Sequence, residues 1–165
     1  MKWGNLAKSI KRLMFRGSAI GNIDIKSRLI LPTKFRKYIL PESNNSLIIT
    51  RGMDECLYVY PLNEWEKEEK ILIEMNEFDE KERIIKRETL ELMCEAEMDS
   101  QYRILIPKDL IQFANLEKEV VMVGMLDKIE IWNPDVKAKY KLTQTQSYSQ
   151  IAQSIADRMR KNNEQ

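Results

Sequence analysis

Residues 24–32 read DIKSRLILP, and residues 99–107 read DSQYRILIP. Each stretch sets an aspartate four residues before an arginine, then runs through apolar residues to a proline. The likeness continues past the motif. TKFRKYI follows the first proline and KDLIQFA the second, so Phe35 matches Leu110 and Tyr38 matches Phe113 at the 75-residue separation that relates Asp24 to Asp99. Proline at the first helical position, followed by apolar residues three and six positions on, predicts a short helix in each copy. Further along, SLIITRGMDECLYVYP resembles EVVMVGMLDKIEIWNP: Gly52 matches Gly124, Leu57 matches Ile129 and Tyr60 matches Trp132, now 72 residues apart. Three residues lost between helix and strand are the kind of loop deletion that a duplicated unit accumulates.

Each copy therefore reads as strand, polar loop with Asp and Arg, apolar strand, short helix and hairpin. Gly52 and Gly124 lie near the hairpin turns, and the β-branched and aromatic residues of LYVY and IEIW suit strands. One such unit has too little core to stand alone, so the two are expected to close on one another. Between the copies, residues 62–92 suit two helices, the second opening at Asp79 with Glu82 three residues on as a capping box. At the C-terminal end, Tyr148, Ile151, Ala152, Ile155, Ala156 and Met159 follow the spacing of an amphipathic helix whose apolar stripe needs a partner surface. The organisation expected is an N-terminal extension over 1–13, a first unit over 14–61, a helical insert over 62–92, a second unit over 93–134 and a C-terminal helical segment over 135–165. The fold class is mainly β with helices, α+β.

The 165 residues carry a net charge of only +1, but the charge is segregated. Residues 1–38 hold ten Lys or Arg against Asp24 alone, and residues 39–97 hold seven basic against sixteen acidic residues. Such a chain can present a strongly positive face, the electrostatic footprint of a partner that is a polyanion, although solvated surface charge produces the same count. The acidic insert is expected to face away from nucleic acid. No apolar run is long enough to span a membrane, and a cytoplasmic location is expected. Cys56 and Cys94 lack metal or redox spacing and read as buried free thiols. The chain has no histidine, no Gly-rich phosphate loop and no Gly-x-Ser-x-Gly. An enzyme is therefore not expected, nor is a cofactor or metal.

Taken together, MFRG at 14–17, the paired Asp-x-x-x-Arg loops, LYVYPLNEW at 57–65, VVMVG at 120–124 and IEIW at 129–132 resemble the MraZ family. The likeness covers roughly residues 14–140. It implies two AbrB-like swapped-hairpin units interleaved as a β-barrel, subunits assembled into a ring-like homo-oligomer, and a transcriptional regulator. The implied partner is double-stranded DNA carrying tandem repeat boxes, ahead of a division and cell-wall gene cluster, and the implied location is the nucleoid. The family loop commonly reads Asp-x-Lys-Gly-Arg. Here Ser27 replaces the glycine in the first copy, while Gln101 and Tyr102 replace lysine and glycine in the second. Residues 1–13 precede the usual family start and read either as a basic arm or as the product of an upstream start codon.

The carboxylates of Asp24 and Asp99 can accept backbone N–H groups and pair with the arginine, so their expected role is to hold the loops. Arg28, beside Lys26, offers a planar fork suited to a guanine edge or a phosphate, and is expected to contact DNA. Arg103 is balanced between the two roles. Arg16, Lys34, Arg36 and Lys37 are expected at phosphates, where they position without reading sequence. The rival reading is a protein-binding module such as an AbrB-like antitoxin, against which duplication within one chain speaks.

Overall fold

The computed structural model describes residues 15–39 and 45–163. The proposed extension at 1–13 lies outside them, as do Lys2, Lys8, Lys11 and Arg12 of the basic segment. The first copy comprises β1 (Ser18–Asn22), β2 (Arg28–Ile30), α1 (Thr33–Arg36), β3 (Ser46–Arg51) and β4 (Leu57–Pro61). The insert supplies α2 (Leu62–Glu74) and α3 (Glu80–Glu91). The second copy repeats the order with β5 (Cys94–Glu97), β6 (Arg103–Leu105), α4 (Lys108–Phe113), β7 (Glu119–Gly124) and β8 (Ile129–Trp132). Then come α5 (Pro134–Thr143) and α6 (Tyr148–Asn163). The mixed α+β class is as expected.

The copies exchange strands. The six-stranded sheet runs β1-β7-β8-β4-β3-β5, so the first strand of each copy pairs with the hairpin of the other. That order is a palindrome in the repeat. β4 meets β8 with Tyr58 opposite Glu130, and β2 meets β6 with Leu29 opposite Ile104. Both pairs are equivalent positions of the two copies, so a pseudo-twofold axis passes through them. On either side of Leu29 and Ile104, Leu31 N donates to Tyr102 O and Ile106 N to Ser27 O, each at 2.9 Å. The large sheet stays open at β1 and β5. The path between those edges runs through the two Asp-x-x-x-Arg turns and the β2–β6 ladder, which surround the core without one continuous ladder of strand pairs.

The enclosed core follows from strand alternation. Leu29, Leu31, Ile104 and Ile106 point inward and are fully buried, with Phe35 and Leu110 beneath them from the two short helices. Phe15 packs edge-on against Phe35 and Tyr38, with centroids at 6.1 and 5.9 Å. Both short helices begin one residue later than expected. Pro32 and Pro107 sit in extended conformation at the N-cap, because their ψ angles of 148° and 149° still belong to the preceding strands.

In the insert, Asp79 caps α3 by accepting from Lys81 N at 2.8 Å and Glu82 N at 3.1 Å. The return half of the expected box is different: the Glu82 carboxylate accepts from Asn76 N, because Asp79 N already donates to Asn76 O. Cys56 is buried and Cys94 half-buried, both as free thiols, and burial raises both above the ordinary thiol range. Residues Asp135–Gln165 form a separate compact unit. Among the described residues no helix is long and apolar enough to cross a membrane.

Candidate nucleic-acid interface

Each turn is built by its aspartate. Asp24 Oδ1 accepts from Lys26 N and Arg28 N, both at 2.9 Å, and Oδ2 accepts from Arg28 Nε at 2.8 Å with Nη2 at 2.7 Å. Asp24 N donates back to Arg28 O at 2.9 Å. Asp99 does the same: Gln101 N and Arg103 N at 2.8 and 3.0 Å, Arg103 Nε at 2.8 Å, and Asp99 N to Arg103 O at 3.0 Å. One carboxylate thus satisfies two loop amides and orients one guanidinium. Hydrogen bonds from Arg28 hold the Asp24 carboxyl down at about 2, and those from Arg103 lower Asp99 in the same direction.

Ser27 and Tyr102, the positions where the family loop carries glycine, have φ of 61° and 62°. The turn keeps the left-handed conformation that glycine adopts freely, although side chains occupy both sites. In the second copy that side chain has a use. The Arg36 guanidinium from α1 lies 3.7 Å from the Tyr102 ring centroid, joining the helix of one copy to the loop of the other. The equivalent pairing in the first copy would be Ile111 with Ser27, which has neither charge nor ring.

The outward face of the β2–β6 ladder alternates with the core face. Arg28 and Arg103 are half-buried there, while Ile30 and Leu105 are 55% and 57% exposed. Ile25 at the tip of the first loop is fully exposed. Lys26, Lys34 and Lys37 are exposed, and Lys34 Nζ donates to Ser18 O. A Cβ added at Gly17, whose φ is +75°, would lie 3.2 Å from Lys34 Nζ, and the exposed Arg16 precedes that glycine in the chain. The sequence-predicted residues thus fall into three groups: Arg16 with Lys34 beside the start of β1, Lys26 with Arg28 on the first loop, and Arg36 with Arg103 beside Tyr102. Sequence reasoning missed Tyr102 as a stacking platform and Ile30 and Leu105 as an exposed apolar pair. The period-two alternation around Arg28 and Arg103 carried the signal for the latter.

Such a surface offers planar cations held by carboxylates, mobile ammonium groups and small apolar side chains, the three contact types that phosphates, base edges and thymine methyl groups accept. Among the described residues no group of three or more Asp, Glu, Cys or His side chains is placed to hold a metal ion.

The turn geometry sets a pH dependence. A carboxyl whose folded pKa lies below its unfolded value stabilises the fold above the unfolded pKa, and loses that contribution as pH falls through the folded one. Stability should therefore hold above about pH 4–5 and decline towards pH 2. Asp24→Asn should flatten part of that decline and lower the melting temperature at pH 7, as read by circular dichroism. Identical melting curves across this range would remove the aspartate from the turn's stability.

A family model described as "MraZ protein, putative antitoxin-like" matches residues 14–88 and again 93–159, one match for each copy. A protein of Halothermothrix orenii named "Transcriptional regulator MraZ" is 38% identical over 144 residues, 87% of this chain and 98% of its own length. Proteins of the same name from Thiobacillus denitrificans and Haemophilus influenzae are 37% and 42% identical, covering 84% and 73% of this chain and 93% and 80% of their own lengths.

Proposed function

Because the chain belongs to the MraZ family, we propose that it is a transcriptional regulator and not an enzyme, and that it binds double-stranded DNA through the basic face around its two Asp-x-x-x-Arg turns. The observation that carries this reading is the duplicated turn itself. Two arginines, each oriented by its own aspartate, are presented on one pseudo-twofold ladder with Lys26 and Arg36 beside them. An arginine fixed by a neighbouring carboxylate gives up less side-chain freedom when it meets a base edge, which favours a role in readout over a role in bulk charge.

In this proposal Arg28 reads a base, Arg103 supports the same contact from the second copy, and Arg16, Lys26, Lys34, Arg36 and Lys37 hold phosphates. The DNA carries a short box repeated in tandem ahead of a division and cell-wall gene cluster, the protein works in the cytoplasm at the nucleoid, and several subunits assemble into a ring. Exposed apolar side chains support self-association. Ile20 protrudes from the edge strand β1, and the Asp135–Gln165 unit presents its stripe of Tyr148, Ile155 and Met159 while being too short to bury a core of its own. The family description also bears the words antitoxin-like. That second reading would place a protein partner, not DNA, on the same surface.

Arg28→Ala tests the assignment. It should lower the melting temperature less than Asp24→Asn does, because the backbone amides of residues 26 and 28 still donate to Asp24, while weakening binding to the specific site by about 1–3 kcal/mol, with binding to scrambled DNA little changed. Lys34→Ala should weaken both DNAs alike. Fluorescence anisotropy on the two DNAs distinguishes these outcomes, and unchanged affinity of Arg28→Ala for both would take Arg28 out of the interface.

A further inference from the structure

The helical insert encloses a space that DNA recognition does not use. Helices α2 and α3 stand over β3 and β4, and between them lies a cleft of about 340 Å³, within the size range of small-molecule sites. Its floor is aromatic. Tyr60 and Trp65 pack edge-on at 5.7 Å, and Tyr58 meets Tyr60 at 6.2 Å. Its walls are aliphatic, with Ile71 from α2 and Ile84 and Ile85 from α3 still 41–54% exposed. No residue of α3 is buried. Two facing apolar helix surfaces that meet over a cavity have not saturated one another.

The polar groups in the cleft have a definite sign. Arg51 is neutralised by Glu88 and stacks on Phe113. Lys128, outside the cleft lining, approaches Tyr58 and Tyr60 at 5.2 Å from each centroid and is paired with Asp127. Glu68 is different: it is half-buried on the wall, and among the described residues its carboxylate has no ion pair or hydrogen bond. Tyr60 beside it is only 4% exposed. Burial, and next the Glu68 charge, push the Tyr60 hydroxyl above its ordinary range, so it stays protonated.

We propose that this cleft is a binding site for a small aromatic amine, its ring against Tyr60 and Trp65 between the isoleucines and its ammonium on the Glu68 carboxylate. The geometry matches the chemistry. A planar apolar body fills a site lined by aromatic and branched side chains, and one unpaired carboxylate fixes the orientation of a cation. The site lies in the acidic insert, apart from the basic turns. Arg51 links it to α4 through Phe113, which gives an occupant a physical route to the second copy.

The test uses the full-length protein and three related probes: phenethylamine, neutral ethylbenzene-type 2-phenylethanol and anionic phenylacetate. Binding is followed by the indole N–H resonance of Trp65, assigned with Trp65→Phe. The expected result is a saturable shift for the amine at an affinity at least tenfold tighter than for the alcohol, with no shift for the acid. Glu68→Gln should abolish the preference for the amine, and Ile84→Trp, which fills the cleft from an exposed helix position, should abolish binding of both the amine and the alcohol. No saturable shift with the amine at millimolar concentration overturns the site. Equal binding of amine and alcohol, or an amine preference that survives Glu68→Gln, overturns the role of the carboxylate.

Discussion

DNA carrying two copies of the recognition box one helical turn apart, about 10–10.5 bp between centres, should bind this protein far more tightly than DNA in which half a turn separates them. One subunit presents few basic groups, and phosphate contacts alone give weak, salt-sensitive binding. The proposed symmetric assembly would present the same pair of turns repeatedly. When successive boxes return to one side of the duplex, the second subunit binds at the effective concentration set by the first, a gain of roughly 10²–10⁴ without any new contact. A half-turn insertion puts the second box on the opposite face and removes that gain. The measurement is the affinity of the assembled protein for in-phase, half-turn-shifted and single-box DNAs at one fixed salt concentration. Equal affinity for the first two would break the link between assembly and recognition.

Gly124→Ala should be the most damaging single methyl that can be added to the described residues' glycines. A Cβ at Gly124 would lie 2.4 Å from both Phe15 C and Arg16 N, backbone atoms that cannot rotate aside. That backbone is fixed by three hydrogen bonds: Phe15 N to Leu126 O at 2.8 Å, Leu126 N to Phe15 O at 2.9 Å and Gly124 N to Gly17 O at 2.8 Å. Relief requires the segment to lift, and with it the buried Phe15 ring. Overpacking of this kind costs about 1–3 kcal/mol, occasionally more, and the loss of tethers places this site at the upper end. At the matched Gly52 the nearest atom is the Cys56 sulfur at 2.6 Å, a side chain able to rotate, with the Cys56 carbonyl at 2.9 Å. Gly52→Ala should therefore lower the melting temperature less. Because Arg16 follows Phe15, Gly124→Ala should also weaken DNA binding in the fraction that stays folded. Melting curves for the two variants that rank the other way would contradict the packing account.

The repeat was legible because two apolar runs, two prolines and two glycines keep their spacing, and the one break in spacing falls in a loop. The Asp79 cap was legible for a similar reason: its partners lie two and three residues away. Strand exchange was not written locally. Nothing within residues 18–22 specifies pairing with β7 rather than with β3 of the same copy; that choice is made by burying both copies' apolar faces together. The resemblance supplied it instead. The stack of Arg36 on Tyr102 was hidden because the partners are far apart in sequence and belong to different copies. Sequence reasoning weighted the first loop over the second on the strength of Lys26. The structure gives both turns the same hydrogen bonds and leaves the asymmetry to Lys26 against Gln101 and to Ser27 against Tyr102. The cleft under the insert escaped notice because residues 62–92 read only as two acidic helices, and a sequence pattern cannot say that two helices will meet without filling the space between them.

In the proposed function the duplicated turns read a short DNA sequence that recurs. Selection from a pool of fully randomised duplexes by the wild-type protein, sequenced over successive rounds, tests it without presupposing the box. The expected result is enrichment of a short box that recurs within single molecules at spacings near one helical turn or a multiple, and loss of that enrichment in Arg28→Ala with Arg103→Ala. Recovery of a pool with no common sequence, or of the same box at unphased spacings by wild type and double variant alike, would contradict it.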